Sequence, residues 1–427
     1  MDFLNSQNWL AVAQKRIPLG AQTFSKSITQ FPPEISPLFC SHGKDGRIWD
    51  IDGNCFVDLI SGLASVTLGY ANDEVNEAVI EQLSNGVTFS LSTKLELEVA
   101  ELISLLVPSA EMVRFAKNGS DVTSAAIRLS RAFTGKEIVL SSGYHGWHDW
   151  YIGTTSMSLG VPTRVQELTD TFQFNNIESF ENAIERHRNQ IAAVIVEPIG
   201  AKIPDNDFIQ HLRIRTLELG IVLIFDEIVT GFRVAPGGAQ ELLNVTPDLT
   251  CLGKGIANGF PLSALVGKKE LMQLLSKVFF SGTFGGETLS LAAAKVVLNK
   301  VKNGSTKELA STGRKIREKV EGIFENNNFH LAKFSGHDSW LFFLWNVEDA
   351  VELQSLKTLF MQEMISNGVL ILSSHNVMAS HNNQDIGIVE TAYENTVNKI
   401  LEAFHSKKYE KFLRSPVIKP LFSVRGN

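Results

Sequence analysis

The alternation of short, unbroken apolar runs with helix-patterned segments constrains this chain more than any other feature of it. Ile138-Val139-Leu140, Ile191-Ala192-Ala193-Val194-Ile195-Val196 and Ile221-Val222-Leu223-Ile224-Phe225 contain no polar residue and are rich in β-branched side chains. A strand with one face in water alternates polar and apolar positions. A run without that alternation suits a strand covered on both faces, the condition of a parallel sheet flanked by helices. Helix-patterned segments fall between the runs, Asp207 to Leu219 among them. The fold class predicted is therefore α/β, with a mostly parallel central sheet.

The ends of the chain read differently. GKDGRIWDIDGNCFVDLISG has two Asp-Gly turns beside the strand-like pieces Arg47–Ile51 and Cys55–Leu59, a hairpin signal. From Asn72, NDEVNEAVIEQLSNG and then TKLELEVAELISLLV space their apolar residues three and four apart, as amphipathic helices do. After Gly304 helices and strands mix again, with LFFLWNV as a strand. At 427 residues the chain is long enough for two cores. The expected division is a large domain over residues 66–305 and a smaller α+β domain built from residues 1–65 and 306–427.

Charge and cysteine usage narrow the function. A net charge of −7 without a basic block argues against nucleic acid or anionic lipid, leaving small molecules or proteins as expected partners. Cys40, Cys55 and Cys251 stand apart with no Cys-x-x-Cys spacing, so neither a disulfide framework nor a metal site is expected. No run is long enough to cross a bilayer and the N-terminus has no sustained apolar region, so the expected location is cytoplasmic.

The chemistry gathers where apolar runs end, because ligands of open parallel sheets bind at the carboxyl ends of the strands. Val196 is followed by Glu197, and Phe225 by Asp226. A lone carboxylate there also reads as a helix cap or rim ion pair. Lys254 stands between two glycines in the nearly uncharged PDLTCLGKGIANGFP, where desolvation favours a neutral amine. Gly119 and Ser120 precede a helix-patterned stretch and offer donors to an anion at its start, although a serine there also reads as a simple cap. Tyr144 and His145 belong to Gly143-Tyr144-His145-Gly146-Trp147-His148, a glycine-rich loop better suited to stacking on a flat ring than to core packing. His145 and His148 lack the further ligands a metal would need. An amine, a strand-end acid, a stacking aromatic and a phosphate cradle together are what pyridoxal 5'-phosphate requires.

The block IVLIFDEIVTGFRVAPGGAQELLNVTPDLTCLGKGIANGFPLSALVG resembles the signature of the class III pyridoxal-phosphate aminotransferases, enzymes of fold type I, and the likeness runs from about Gly46 to Ala293. The resemblance implies Lys254 as the Schiff-base lysine, Asp226 as the partner of the pyridine nitrogen and Ile228 under the ring. It also implies Gly119 and Ser120 at the phosphate, and Tyr144 and His145 as the family's Tyr-His pair with the aromatic on the cofactor. Thr283, in SGTFGGETLSLAAA, matches a threonine that reaches the phosphate of the neighbouring subunit, which implies a homodimer with shared active sites. The Ala-rich stretch after it reads as a helix whose start supplies amides to the same anion.

Within the family, MVRFAKNGSDVTSAAIRLSRAFTGKE and GYHGWHDW resemble glutamate-1-semialdehyde aminomutases and related transaminases of polar aldehydes. Two departures stand out. The aminomutase arginine near the N-terminus is replaced by Lys26, and no arginine lies between Arg317 and Arg414, where ω-amino acid transaminases carry a mobile one. The chain is most similar to the branch that aminates sugar acids, including the transaminases forming 8-amino-3,8-dideoxy-octulosonate for lipopolysaccharide. The resemblance thus implies an amino donor, L-glutamate, and a polar aldehyde acceptor, with Lys26 and Glu197 at the substrate. Glu197 also counts among the cofactor contacts. The alternatives are a 2,1-aminomutase and, outside catalysis, a binding module that keeps the fold.

Overall fold

A computed structural model describes residues 1–205 and 207–419. The chain divides into two compact units, Asp73–Lys307 and a second made of Met1–Asn72 with the described residues 308–419.

The Asp73–Lys307 unit is built on a seven-stranded sheet. Its order is Met112–Ala116, Ser263–Gly267, Leu249–Leu252, Val222–Glu227, Ile191–Val196, Ile138–Ser142 and Thr169–Thr171. Only Ser263–Gly267 runs against its neighbours, so the expected mostly parallel sheet is present. The unbroken apolar runs have the predicted cause. In Val222–Glu227 every residue is buried, and alternate side chains serve two different cores. Val222 and Ile224 pack with Val122, Ala126 and Leu129 of the Gly119–Thr134 helix, while Leu223 and Phe225 pack with Phe180, Phe208 and Leu212. Each such aliphatic side chain contributes roughly 1.5–3 kcal/mol by burial. Either face left open would lose that, which is why the runs admit no polar residue.

Helix ends follow the local sequence. Asn118 N-caps the Gly119–Thr134 helix and donates its own amide to Asp121 at 2.8 Å. Gly135, at φ +66°, closes it.

The other unit joins Met1–Asn72 to residues 308–419. Arg47–Asp50 and Cys55–Asp58 form the hairpin, with Cys40–Lys44 outside it and Val369–Leu370 added in parallel. LFFLWNV lies largely in the strand Trp340–Trp345. Its core holds two buried histidines. His375 Nε2 meets the Tyr393 hydroxyl, and His381 Nδ1 accepts from Met378 N at 3.1 Å. Burial pushes His375 down to about 3 and His381 to about 4, against about 6.5 for an unfolded histidine. The folded values are depressed, so the unfolded chain takes up protons first as pH falls. Stability is then fully present above about pH 6.5 and drains away toward pH 4. The two imidazoles together give a slope approaching two protons, about 2.7 kcal/mol per pH unit. Urea unfolding of this unit's signal between pH 7 and pH 5 checks it, and His381→Gln is expected to halve the histidine part of the slope. An unchanged pH dependence in that variant would rule the account out.

Candidate active site

The candidate residues of the large unit gather at one end of its sheet. The register pairs Asp226 with Cys251 and Val196 with Phe225 and Ser142, which places Asp226, Glu197, the Gly143–His145 turn and Lys254 along one edge. Ser263, opening the antiparallel strand, pairs there with Ala116, just before Asn118 and Gly119.

Asp226 is buried, with 5% of its surface exposed. One carboxylate oxygen meets His145 Nδ1 at 2.8 Å and the other accepts from Ile228 N at 3.1 Å. A carboxylate accepts, so His145 carries its hydrogen on Nδ1. His145 Nε2 is buried without a hydrogen-bond partner among the described residues. The ring lies against Tyr151 and Trp150, at 5.3 Å and 6.2 Å between centroids, and the His145 carbonyl accepts from Thr123 Oγ1 at 2.9 Å.

Lys254 begins a short 3-10 turn just past the strand Leu249–Leu252. It is half-buried rather than sealed in the core, and its own backbone is left-handed, at φ +41°. Ile228 is half-buried between two glycines: a Cβ on Gly119 would lie 3.0 Å from its Cδ1, and one on Gly253 at 3.2 Å. Tyr144 is half-buried, with its ring edge-on to Tyr151 at 5.6 Å, and its amide donates to Glu197 Oε2 at 3.0 Å.

Gly119 and Ser120 occupy the first turn of their helix, where backbone amides have no intrahelical acceptor. Ser120 Oγ accepts from Trp147 N at 3.3 Å and keeps its proton to donate. Gly146, at φ +104°, comes so near that a Cβ there would lie 2.2 Å from that oxygen.

These residues suit pyridoxal phosphate. A buried acid held by a histidine matches a ring nitrogen, an amine stands past the next strand, and a helix start with a hydroxyl matches the phosphate. Among the described residues no cluster of histidine, cysteine and acidic side chains would hold a metal ion.

Lys26 is exposed, at the end of a 3-10 turn in the other unit. Thr283 is exposed in a turn and does not open a helix. The helix starts at Thr288, and its first amides are taken by the carboxylate of its N-cap, Glu287, which bonds Leu289 N at 2.7 Å and Lys117 Nζ at 2.9 Å. An anion is therefore already built into that helix start, and the expectation of free amides there is corrected.

Glu227, next to Asp226, turns to the opposite side of the sheet. Its fully buried carboxylate accepts from Ala239 N, from Gln240 N and Nε2 at 3.1 and 3.0 Å, and from Thr230 Oγ1 at 2.9 Å, while burial raises its pKa. It braces a loop. Arg233 is buried as well, and burial lowers it to about 10, whereas Trp147 is 67% exposed.

Residues 31–384 match the family model described as Aminotransferase class-III. The chain is 32% identical over 399 residues to a 3-aminobutyryl-CoA aminotransferase of Cloacimonas acidaminovorans, covering 91% of this chain and 95% of that protein. It is 36% identical over 418 residues to a glutamate-1-semialdehyde 2,1-aminomutase of Francisella philomiragia, covering 90% and 95%. Among solved structures it is similar to an omega-transaminase from Sphaerobacter thermophilus, with a TM-score of 0.86 and 27% identity over 92% of this chain and 97% of that one. The FumI protein of Sphingopyxis sp. MTA144, solved with pyridoxal phosphate, has a TM-score of 0.88 and 26% identity, covering 97% and 99%. The chain belongs to the class III aminotransferases: it is a pyridoxal-phosphate-dependent transaminase of fold type I. No helix among its described residues is long and apolar enough to cross a membrane.

Proposed function

We propose that this transaminase moves the amino group of an amino acid, L-glutamate, to a polar aldehyde, the 8-aldehyde of a 3-deoxy-octulosonate used in lipopolysaccharide. The observation that carries the chemistry is the buried Asp226–His145 pair at the strand end, with Lys254 past the neighbouring strand. When bound, pyridoxal phosphate supplies an aldehyde that takes up the amino group in transit and a ring that accepts the electron pair released at the donor's Cα. Lys254 Nζ holds the cofactor and, once displaced by the donor amine, moves the proton away from the donor's Cα. Asp226 keeps the ring nitrogen protonated, and His145 fixes the carboxylate through Nδ1. Gly119 and Ser120 bind the phosphate, Tyr144 and Ile228 take the two faces of the ring, and Glu197 stands beside Tyr144.

The polar aldehyde is supported by the semialdehyde in the name of the Francisella relative. The move away from that relative's own reaction rests on Lys26, and the move away from the ω-amino acid transaminases on the arginine-free stretch between Arg317 and Arg414. The same likeness favours a second reading, an internal 2,1-aminomutase. The test is single turnover of the purified pyridoxamine form against a panel of aldehydes. The octulosonate aldehyde is expected to restore the pyridoxal form fastest and glutamate to reverse it. Equal reaction with all aldehydes would overturn the acceptor, and isomerisation of a single aminoaldehyde without a second substrate would favour the aminomutase.

Thr283 belongs in this reading to a homodimer with shared sites. Around its turn, Phe279 is 81% exposed and Phe284 58%. Leu91 is 82% exposed, in a segment tied to the following helix by Thr288 N, which donates to Val87 O at 3.0 Å. Large exposed apolar side chains of this kind suit a protein partner, here a second copy. Thr283 Oγ1 then donates to the phosphate bound by that copy.

A further inference from the structure

We propose that Glu197 is a positioning residue: its carboxylate oxygen sets the height of the Tyr144 ring over the cofactor by holding the Tyr144 amide, and its charge serves neither cofactor nor substrate directly. The inference rests on the reading of Tyr144 as the residue on the cofactor ring.

Glu197 is the last rung of the ladder between Ile191–Val196 and Ile138–Ser142, its amide donating to Ser142 O at 3.2 Å. Its main chain is therefore fixed by the sheet. From that base Oε2 reaches across to Tyr144 N at 3.0 Å. The approach is close: Gly143, at φ +114°, lies against the same side chain, and a Cβ there would stand 2.9 Å from both Cγ and Oε2. The turn is held at its other groups too. Tyr151 donates its hydroxyl to Gly143 O at 2.9 Å, Thr123 donates to His145 O at 2.9 Å, and His145 Nδ1 is held by Asp226. Tyr144 sits in the middle of these fastenings, and Glu197 is the one that holds its amide. A side chain of this length is needed, but a full charge is not, since a neutral amide oxygen accepts the same hydrogen bond.

Substitution separates this role from that of an anion for the donor's ammonium group. Glu197→Gln keeps the acceptor and the length. Glu197→Asp keeps the charge and loses the reach, and Glu197→Ala loses both. The readouts are the dissociation constant of pyridoxal 5'-phosphate titrated into each apoprotein and the visible circular dichroism of the bound cofactor, with far-ultraviolet spectra to establish folding. Asp and Ala are expected to weaken cofactor binding roughly ten- to hundredfold, the loss of one hydrogen bond at a charged or strongly polar site, and to reduce the dichroic band, whereas Gln restores both to within about threefold. If Ala does not fold, Asp against Gln decides. Wild-type affinity and dichroism in Asp and Ala would overturn the proposal, as would a Gln variant as weak as Asp. Tyr144→Ala, measured alongside, distinguishes the two levels. If it leaves affinity and dichroism unchanged, the ring reading falls and this inference with it. If it alters them while the Asp and Ala variants of Glu197 do not, only the role of Glu197 falls.

Discussion

Lys254→Ala is expected to lower transamination by more than about 10⁴-fold, because both the covalent hold on the cofactor and the proton transfer at the donor's Cα depend on one amine. The fold should survive. Lys254 is half-buried at a strand end, while the core beneath it is made by Leu249, Cys251 and Ile256. Cofactor binding should persist in weaker form, since the helix start at Gly119 and Ser120 and the acid at Asp226 are untouched. Borohydride reduction gives a direct readout: the wild type should retain cofactor through denaturation and the variant should not. The same variant tests the shared site. Mixing Lys254→Ala chains with Thr283→Val chains, at cofactor too dilute to fill weakened sites, should regenerate one intact site per mixed dimer if Thr283 serves the partner. If Thr283 serves its own chain, every site carries one lesion and no tight-binding active site returns. Wild-type turnover in Lys254→Ala would remove the lysine from the mechanism altogether.

The sheet was legible in the sequence because burial on both faces leaves a one-dimensional trace, a run with no polar residue. The acids that end those runs could be found by the same trace. What each acid does could not. Asp226 and Glu227 are adjacent, and alternation along a strand sends their side chains to opposite faces without saying which face holds the chemistry. Glu227 proved to be surrounded by four donors from its own loop, and Asp226 by a histidine 81 residues away in sequence. No local rule pairs residues at that separation. Thr283 shows a different limit. Gly285 and Gly286 extend the turn, and Glu287 caps the helix, so the helix signal was read too early. Backbone conformation was the least visible. Ser61, Gly62, Leu63 and Ala64 form a left-handed turn, at φ +51°, +57°, +62° and +68°, of which only the glycine gives any warning. The other three positions each cost roughly 1–2 kcal/mol. Lys254 is similar: its flanking glycines suggested local freedom, yet the left-handed residue is the lysine itself.

Asp226→Asn is the second large effect expected, and it isolates charge from shape. The amide is nearly isosteric, so Asn Oδ1 can still accept from Ile228 N, as Asp226 does at 3.1 Å. The contact with His145 at 2.8 Å is different. If the amide nitrogen faces the imidazole, Nδ1 must become the acceptor, and the hydrogen moves to Nε2, which is buried without a partner among the described residues. That rearrangement leaves one buried donor unsatisfied, a cost of about 1–3 kcal/mol in stability. The loss in rate has another origin. A neutral amide cannot hold a proton on the ring nitrogen, so electrons released at the donor's Cα meet no stabilised sink. Removing one preorganised electrostatic contact of this kind costs about 10²–10³-fold in rate. The two losses separate by measurement: kcat for the glutamate half-reaction should fall by that factor, while urea unfolding shifts only by the smaller stability term. His145→Gln should lie between the wild type and Asp226→Asn in rate, because it loosens the carboxylate without removing its charge. A rate unchanged in Asp226→Asn would mean that another acid holds the ring, and a rate loss no larger than the loss of stability would reduce Asp226 to a structural residue.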